Sequence, residues 1–172
     1  MTMRLMMRTC VLAGCAVLGL SACYAQPAER QAGAAPTAQA QEVGRHPVSG
    51  LEVVPLTVTS GERTHDFRVE VARTDAQQQR GLMERQTLGP NEGMIFPNNP
   101  PRVRGFWMKN TPLSLDIIFV GPDGRIINIA ANATPMSSDE RYLSDAPASL
   151  VLEIPGGRAA ELGIGPGDLV EW

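Results

Sequence analysis

Residues 113–131, LSLDIIFVGPDGRIINIAA, contain two apolar runs separated by Gly121-Pro122-Asp123-Gly124. Proline and glycine in this arrangement are typical of a tight turn. The flanking runs, Leu113–Val120 and Arg125–Ala131, are rich in residues that favour strands. The stretch therefore predicts a β-hairpin. In its first strand, alternation puts Leu113, Leu115, Ile117 and Phe119 on one face and Asp116, flanked by Ile118, on the other.

The segments around this hairpin predict more strands and little helix. A capping box at Thr74-Asp75-Ala76-Gln77 opens a short helix that ends at Gly81. Asn98–Pro101 is expected to end the strand before it, because proline cannot donate to a β-ladder. The other predicted strands are Leu56–Thr59, His65–Val71, Gly93–Phe96, Phe106–Thr111, Ala148–Ile154 and Leu169–Trp172, with a helical turn at Ala159–Leu162. We predict a strand-dominated α+β fold, a single small β-barrel-like domain with one or two short helices.

The N-terminus has the pattern of a lipoprotein signal peptide. Arg4 and Arg8 precede an apolar run, Thr9–Leu20, that is too short to span a bilayer. The run ends in Leu20-Ser21-Ala22-Cys23, which resembles a lipobox. We therefore expect residues 1–22 to be removed and Cys23 to be lipidated, which would anchor the chain without a transmembrane helix. Ordinary cleavage after Ala25 or Ala40 is the alternative.

The segment after the signal is expected to be a tether. Residues 23–50 are rich in Ala, Gln, Pro and Gly and contain few large apolar side chains. Such a composition buries too little surface to offset the entropy of ordering. We therefore place the domain at residues 51–172. Tyr24, rather than Asp, follows the cysteine, and by resemblance to Gram-negative lipoproteins this favours delivery to the outer membrane, facing the periplasm.

Charge and cysteine content exclude several classes of function. Removing residues 1–22 takes away two of 15 basic residues and none of 18 acidic ones, which lowers the formal charge from −3 to −5. This argues against a nucleic-acid partner. All three cysteines lie at or before Cys23, so the domain has no thiol for a disulfide, a nucleophile or a metal site. His46 and His65 are isolated, so no metal and no cofactor is expected.

Several motifs occur together in one order. They are Arg80-Gly81-Leu82-Met83, Gly93-Met94-Ile95-Phe96, Phe106-Trp107-Met108-Lys109-Asn110-Thr111, Leu115-Asp116-Ile117-Ile118-Phe119, Leu152-Glu153 and Gly167-Asp168. In order and spacing this set resembles the family called domain of unknown function 192, over about residues 53–172. The resemblance implies a compact β-barrel-like fold, often exported, and no established activity. Ser114 departs from the family pattern, in which proline often precedes the Leu-Asp pair.

The segment from Trp107 to Asp116 carries the candidate binding face. If Phe106–Thr111 is extended, Trp107, Lys109 and Thr111 share one face and Asn110 lies on the other. Asp116 lies in a very apolar strand, and a buried carboxylate needs a partner. Lys109, Arg80 and Arg85 are the candidates. One interpretation is a structural ion pair; the other is a binding face of Trp107, Lys109, Asn110, Thr111 and Asp116, supported by Arg80, Arg85 and Glu153.

Two classes of function remain open from the sequence. The leading hypothesis is a non-enzymatic binding or structural module that contacts a periplasmic protein or a glycan through this face. The alternative is an envelope hydrolase acting on a glycan, with Asp116 and either Glu153 or Lys109 as the reacting groups, because paired carboxylates hydrolyse glycosidic bonds.

Overall fold

The computed structural model describes residues 44–172, so the predicted signal peptide, Cys23 and residues 24–43 lie outside the described residues. Ten strands and two short helices follow one another along the chain. They are β1 (Gly44–Arg45), β2 (Glu52–Ser60), β3 (Arg63–Val71), α1 (Asp75–Arg80), β4 (Glu92–Arg102), β5 (Gly105–Phe106), β6 (Leu115–Val120), β7 (Ile126–Ala133), β8 (Tyr142–Leu143), β9 (Ala148–Pro155), α2 (Arg158–Leu162) and β10 (Leu169–Glu171). In this part of the chain, no helix has the length and apolar character needed to cross a membrane.

Eight of the strands form one sheet. Its order is β1-β2-β3-β4-β9-β6-β7, and β10 pairs with β2. All the pairings are antiparallel except β3 with β4, which is parallel. A β-bridge between Arg125 and Leu169 brings the start of β7 to β10. The strand-dominated α+β prediction is therefore confirmed, although the sheet is not a closed barrel.

Apolar side chains pack on both faces of the central strands β4, β9 and β6. The first apolar cluster includes Ile95, Ile118, Leu152 and Ile154, together with Leu56, Val58, Phe67, Val69, Val71, Val120, Ile126, Leu150, Ala159, Ile164 and Val170. The second apolar cluster includes Met94, Phe96, Ile117, Phe119 and Val151, together with Ala72, Leu82, Phe106, Met108, Leu115, Ala133 and Ala148. Successive residues of each strand alternate between the two clusters. Every residue of β6 is consequently buried.

The local signals in the sequence are confirmed at the predicted hairpin and helix. Strands β6 and β7 pair across the turn, in which the Gly124 amide donates to the Gly121 carbonyl at 3.0 Å. Helix α1 begins with the complete capping box of Thr74 and Gln77 and ends at Gly81, which has a positive φ of 49°. Each of these signals depends on residues close together in the chain, so no distant contact is needed to produce it.

Several boundaries differ from the predictions; strand β2, for example, begins at Glu52 and not at Leu56. Strand β4 continues through Asn98–Pro101, because its register with β9 shifts between Pro97 and Arg102 and the prolines lie where the ladder is interrupted. Within Phe106–Thr111 only Phe106 belongs to a strand; a turn follows, closed by a hydrogen bond from the Thr111 amide to the Met108 carbonyl at 3.1 Å. Residues 44–50, assigned to the tether, form β1 and a turn, because Gly44 and Arg45 pair with β2.

Candidate functional site

Asp116 is a buried structural residue. Its side chain is 0% exposed and lies among the first apolar cluster, opposite Ile154 of β9. One carboxylate oxygen accepts from the Asn132 amide at 2.8 Å and from the Gly157 amide at 2.9 Å, and the other accepts from the Ala159 amide at 2.8 Å. Asp116 therefore connects β7 to the start of α2. The N-cap residue of α2, Gly157, has no side chain to accept a hydrogen bond there, and the Asp116 carboxylate accepts instead.

These contacts correct the expected ion pair. The predicted partners Lys109, Arg80 and Arg85 make no salt bridge with Asp116, since backbone N–H groups occupy its carboxylate. Burial also removes Asp116 from the candidate binding face. A buried carboxylate can be satisfied by backbone amides as well as by a side-chain cation.

Glu153 lies on the opposite face of the sheet from Asp116. It is paired in register with Met94 of β4 and Ile117 of β6, both members of the second apolar cluster. Because neighbouring residues of a strand alternate between faces, the two carboxyl groups are separated by the sheet itself. They cannot act together on one bond, so the predicted hydrolase using Asp116 with Glu153 is wrong. The version with Lys109 fails as well, since Asp116 is inaccessible.

The remaining predicted face residues lie around a turn. Lys109 and Asn110 are exposed, and Asn110 has a positive φ of 56°. Thr111 is buried, and its hydroxyl donates to the Lys109 carbonyl at 3.3 Å. Two cations lie near the Trp107 ring, with the Lys109 Nζ 5.3 Å from its centroid and the Arg141 guanidinium carbon 4.2 Å from it. Trp107 and Lys109 therefore do lie together, in a turn rather than in a strand.

The two predicted supporting arginines have separate partners. Arg80 is exposed and forms an ion pair with Glu84 at 3.1 Å. Arg85 binds both carboxylate oxygens of the buried Glu70, at 2.8 and 3.0 Å, and its other terminal nitrogen lies 3.1 Å from His46 Nε2. Arg85 therefore attaches the N-terminal turn to β3, which is a structural role.

A cavity of about 380 Å³ lies on the face of the sheet that carries Glu153. We call it the Glu153 cavity. Its lining is supplied by α1, the segment after it, β4 and the segment 102–111. It consists of Asp75, Gln78, Gln79, Arg80, Gly81, Leu82, Met83, Phe96, Arg102, Val103, Arg104, Gly105, Phe106, Trp107, Thr111 and Glu153. Of the predicted residues, Arg80, Trp107, Thr111 and Glu153 come together here.

Glu153 is one of two buried polar residues that line this cavity, the other being Thr111. Glu153 is 5% exposed, and no hydrogen bond or ion pair joins its carboxyl to another side chain or amide within residues 44–172. Burial raises the pKa of Glu153 to about 8, because the charged form is removed from water without a compensating cation. With a pKa of about 8, the carboxyl favours its protonated form at neutral pH.

The neighbouring strand β4 can approach β9 closely because of Gly93, where a Cβ would lie 2.4 Å from the Glu153 carbonyl oxygen.

Arg104 is held in the wall of the same cavity by neutral groups. One terminal nitrogen donates to Asn98 Oδ1 and the other to Gln78 Oε1, both at 3.2 Å. Asn98 and Gln78 are themselves held by backbone carbonyls, of Ala148 for Asn98 and of Ala72 and Pro97 for Gln78. Burial, and then the neighbouring Arg102, lowers the pKa of Arg104. The position of the guanidinium is fixed, but no carboxylate neutralises its charge among the described residues.

Aromatic rings form the apolar part of the wall. Phe96 and Phe106 meet edge to face with centroids 5.0 Å apart, and the Arg104 guanidinium carbon lies 5.4 Å from the Phe106 centroid. Sequence reasoning did not identify Phe96, Arg102, Arg104 or Phe106 as site residues. No motif marks Arg104, because the amides that orient it come from α1 and from β4 beyond the predicted end of that strand.

Metal-ligating side chains are not grouped in the described part of the chain. No set of three or more His, Cys, Asp or Glu residues in 44–172 is arranged to hold a metal ion.

Comparison with known proteins gives a family without a described activity. The family model called domain of unknown function 192 (DUF192), described as "Uncharacterized ACR", matches residues 56–172. A crystal structure from Novosphingobium aromaticivorans, described as a protein of unknown function, is 56% identical with a TM-score of 0.73, covering 75% of this chain and 91% of that one. A structure from Sinorhizobium meliloti, described as "a putative transcription regulator", is 38% identical with a TM-score of 0.68, covering 70% and 94%. No curated protein is significantly similar.

We expect Asp116→Ala to lower the free energy of unfolding by about 3 kcal/mol or more, because the change leaves three backbone N–H groups without their acceptor. Urea unfolding of the full chain measures this. Asp123→Ala is the matched control, since Asp123 accepts one bond in an exposed turn and should cost less than about 1 kcal/mol. Equal unfolding midpoints for the two variants would contradict the structural role.

The pKa of Glu153 predicts how stability depends on pH. Between the ordinary glutamate pKa and about 8, the folded state holds a proton that the unfolded state has lost. Stability therefore falls as pH rises through this window, by up to about 1.4 kcal/mol per pH unit. Glu153→Gln cannot ionise and should remove this component. Urea midpoints at pH 5, 6.5 and 8 test the difference; parallel curves for wild type and variant would show that the carboxyl is ionised when folded.

Proposed function

The chain belongs to the domain of unknown function 192 family, and we propose that its folded domain is a binding module whose Glu153 cavity takes up a small ligand of the cell envelope. The observation that carries the proposal is the Glu153 carboxyl, which lines the cavity, belongs to a residue only 5% exposed and has no hydrogen bond to another of the described residues. A buried polar group without a hydrogen bond destabilises a fold. Such groups are concentrated at functional sites, where a ligand supplies the missing partner.

The chemistry of the lining favours binding over covalent catalysis. The described lining contains no serine, cysteine or histidine, and its one hydroxyl, Thr111, is bonded to a backbone carbonyl. Nucleophilic catalysis by a hydroxyl or a thiol needs that group to be free and within reach of a base. The polar groups that do face the cavity include a protonated carboxyl and guanidinium groups, which bind and orient a ligand through hydrogen bonds. The exposed turn with Trp107 then lies at the rim of the cavity.

The place of action is the second part of the proposal. The lipobox-like Leu20-Ser21-Ala22-Cys23 follows an apolar run of signal-peptide length, which supports export and lipidation at Cys23. The anchor would hold the domain on the periplasmic side of a membrane, with the outer membrane favoured by Tyr24. Ligands would then come from the envelope, as free molecules or as parts of a glycan or a protein.

Retention of small molecules tests the binding function. The full chain, purified in detergent, is mixed with the low-molecular-mass fraction of an envelope extract and washed, and the compounds released on denaturation are identified by mass spectrometry. We expect the wild type to retain a defined set that Glu153→Leu does not, since leucine removes the polar group and should be tolerated in an apolar site. Glu62→Leu, in an exposed turn, is the control. If Glu153→Leu retains the same set, the cavity is not the binding site.

Fractionation of cells tests the anchor. Cys23→Ala removes the proposed lipid-accepting thiol, and we expect the chain to move from the membrane fraction to the soluble fraction. Cys15→Ala, a change inside the apolar run, should leave the distribution unchanged. A Cys23→Ala chain that stays in the membrane fraction would contradict lipidation.

A further inference from the structure

We infer that the ligand of the Glu153 cavity is a compact organic anion, a carboxylate or a phosphate monoester carried on a flat ring. This inference rests on the proposed function and names the class of molecule that the cavity takes. Its basis is the position of Arg104, the balance of charge in the lining and the aromatic wall.

Arg104 has hydrogen-bond donors to spare and an orientation that is fixed before any ligand arrives. The bonds to Asn98 and Gln78 use two of the five N–H donors of a guanidinium, which leaves three. Both acceptors are uncharged amides, so the positive charge is not neutralised by them. A planar guanidinium held in place matches the two oxygens of a carboxylate or a phosphate, and such charge-assisted pairs are the strong class of hydrogen bond.

The lining carries an excess of positive charge. Its cations are Arg80, Arg102 and Arg104, and its acidic residues are Asp75 and Glu153. Arg80 is paired with Glu84, and Asp75 lies in the exposed first turn of α1. With the Glu153 carboxyl protonated and Arg80 paired, Arg102 and Arg104 against Asp75 leave one net positive charge, in a chain whose formal charge is −3. A cavity of this kind concentrates anions.

The volume and the rings set the size and shape of the ligand. About 380 Å³ is near the lower end of the range for ligand cavities, which indicates a compact molecule. The cavity is lined by Phe96, Phe106 and Trp107, and a flat ring can stack on or meet the edge of such side chains. An anion joined to a ring would therefore contact both parts of the lining.

Glu153 gives the binding a dependence on pH. As a protonated acid it donates a hydrogen bond to an anion, and as a carboxylate it would repel one. Across β4 and β6 it faces the uncharged Met94 and Ile117, and the charged groups that share its cavity are Asp75, Arg80, Arg102 and Arg104. Binding should therefore weaken as pH rises past about 8, and Glu153→Gln should lose this dependence.

The test is a titration of the full chain in detergent with benzoate, phenyl phosphate and the neutral benzamide, at pH 6.5 and pH 9. A Trp172→Phe background leaves Trp107 as the one tryptophan, so its indole N–H resonance in ¹H–¹⁵N spectra reports on the cavity. We expect a saturable shift with at least one of the anions and none with benzamide. The probe that saturates at the lower concentration distinguishes a carboxylate from a phosphate ligand.

Substitutions at Arg104 make the test specific. Arg104→Gln should weaken binding by about tenfold or more, and Arg104→Lys, which keeps the charge without the planar fork, should be intermediate. Arg63→Gln, at an exposed arginine of β3 that does not line the cavity, should have no effect. The spectra themselves show whether each variant is folded.

Four outcomes would overturn the inference. Benzamide could saturate as readily as the anions, or Arg104→Gln could bind like Arg63→Gln; either would show that charge does not select the ligand. If no probe shifts the Trp107 resonance while the wild type still retains envelope compounds through Glu153, the anion class is wrong and the binding function stands. If the wild type retains no envelope compound and no probe shifts the Trp107 resonance, both the binding function and the anion class are wrong.

Discussion

The central strands β4, β9 and β6 are packed by apolar side chains on both faces, and this constraint controls where polar groups can lie. A polar side chain in these strands must find a partner inside the fold or face a cavity. Asp116 and Glu153 occupy neighbouring strands and meet the constraint in these two different ways. The difference between them gives the domain one structural carboxylate and one candidate site.

On the first face, Asp116 is satisfied by three backbone amides. These bonds join β6 to β7 and to the start of α2, so a single side chain stabilises a corner made of three elements. The burial that protects Asp116 also closes it to substrates. A charged residue in a specific family motif can thus be essential to the fold and have no contact with a ligand.

On the second face, Glu153 lies beside a gap in the covering layer. The segment after α1 and the segment 102–111 contribute Leu82, Phe106 and Met108 to the second apolar cluster, and the cavity beside them is lined by guanidinium groups and aromatic rings. The amides of Gln78 and Asn98 hold Arg104 there, so elements far apart in the chain determine its position. The cavity is therefore a product of how the segments pack over the sheet, since no single motif encodes it.

The hairpin of β6 and β7, helix α1 and the alternation that puts Asp116 and Ile117 on different faces of β6 could be predicted from the sequence, because each depends on residues close together in the chain. The α+β class and the family could be predicted from the order of the elements and motifs along the chain. The sequence also proposed Trp107 and Thr111 as candidate site residues, and both line the cavity, although they lie in a turn after Phe106 where a strand was predicted. The partners of Asp116, the course of β4 through its prolines and the placement of Arg104 and Glu153 in the lining of one cavity followed only from the three-dimensional structure. These depend on register between strands and on contacts between distant segments, and neither has a signal in local composition.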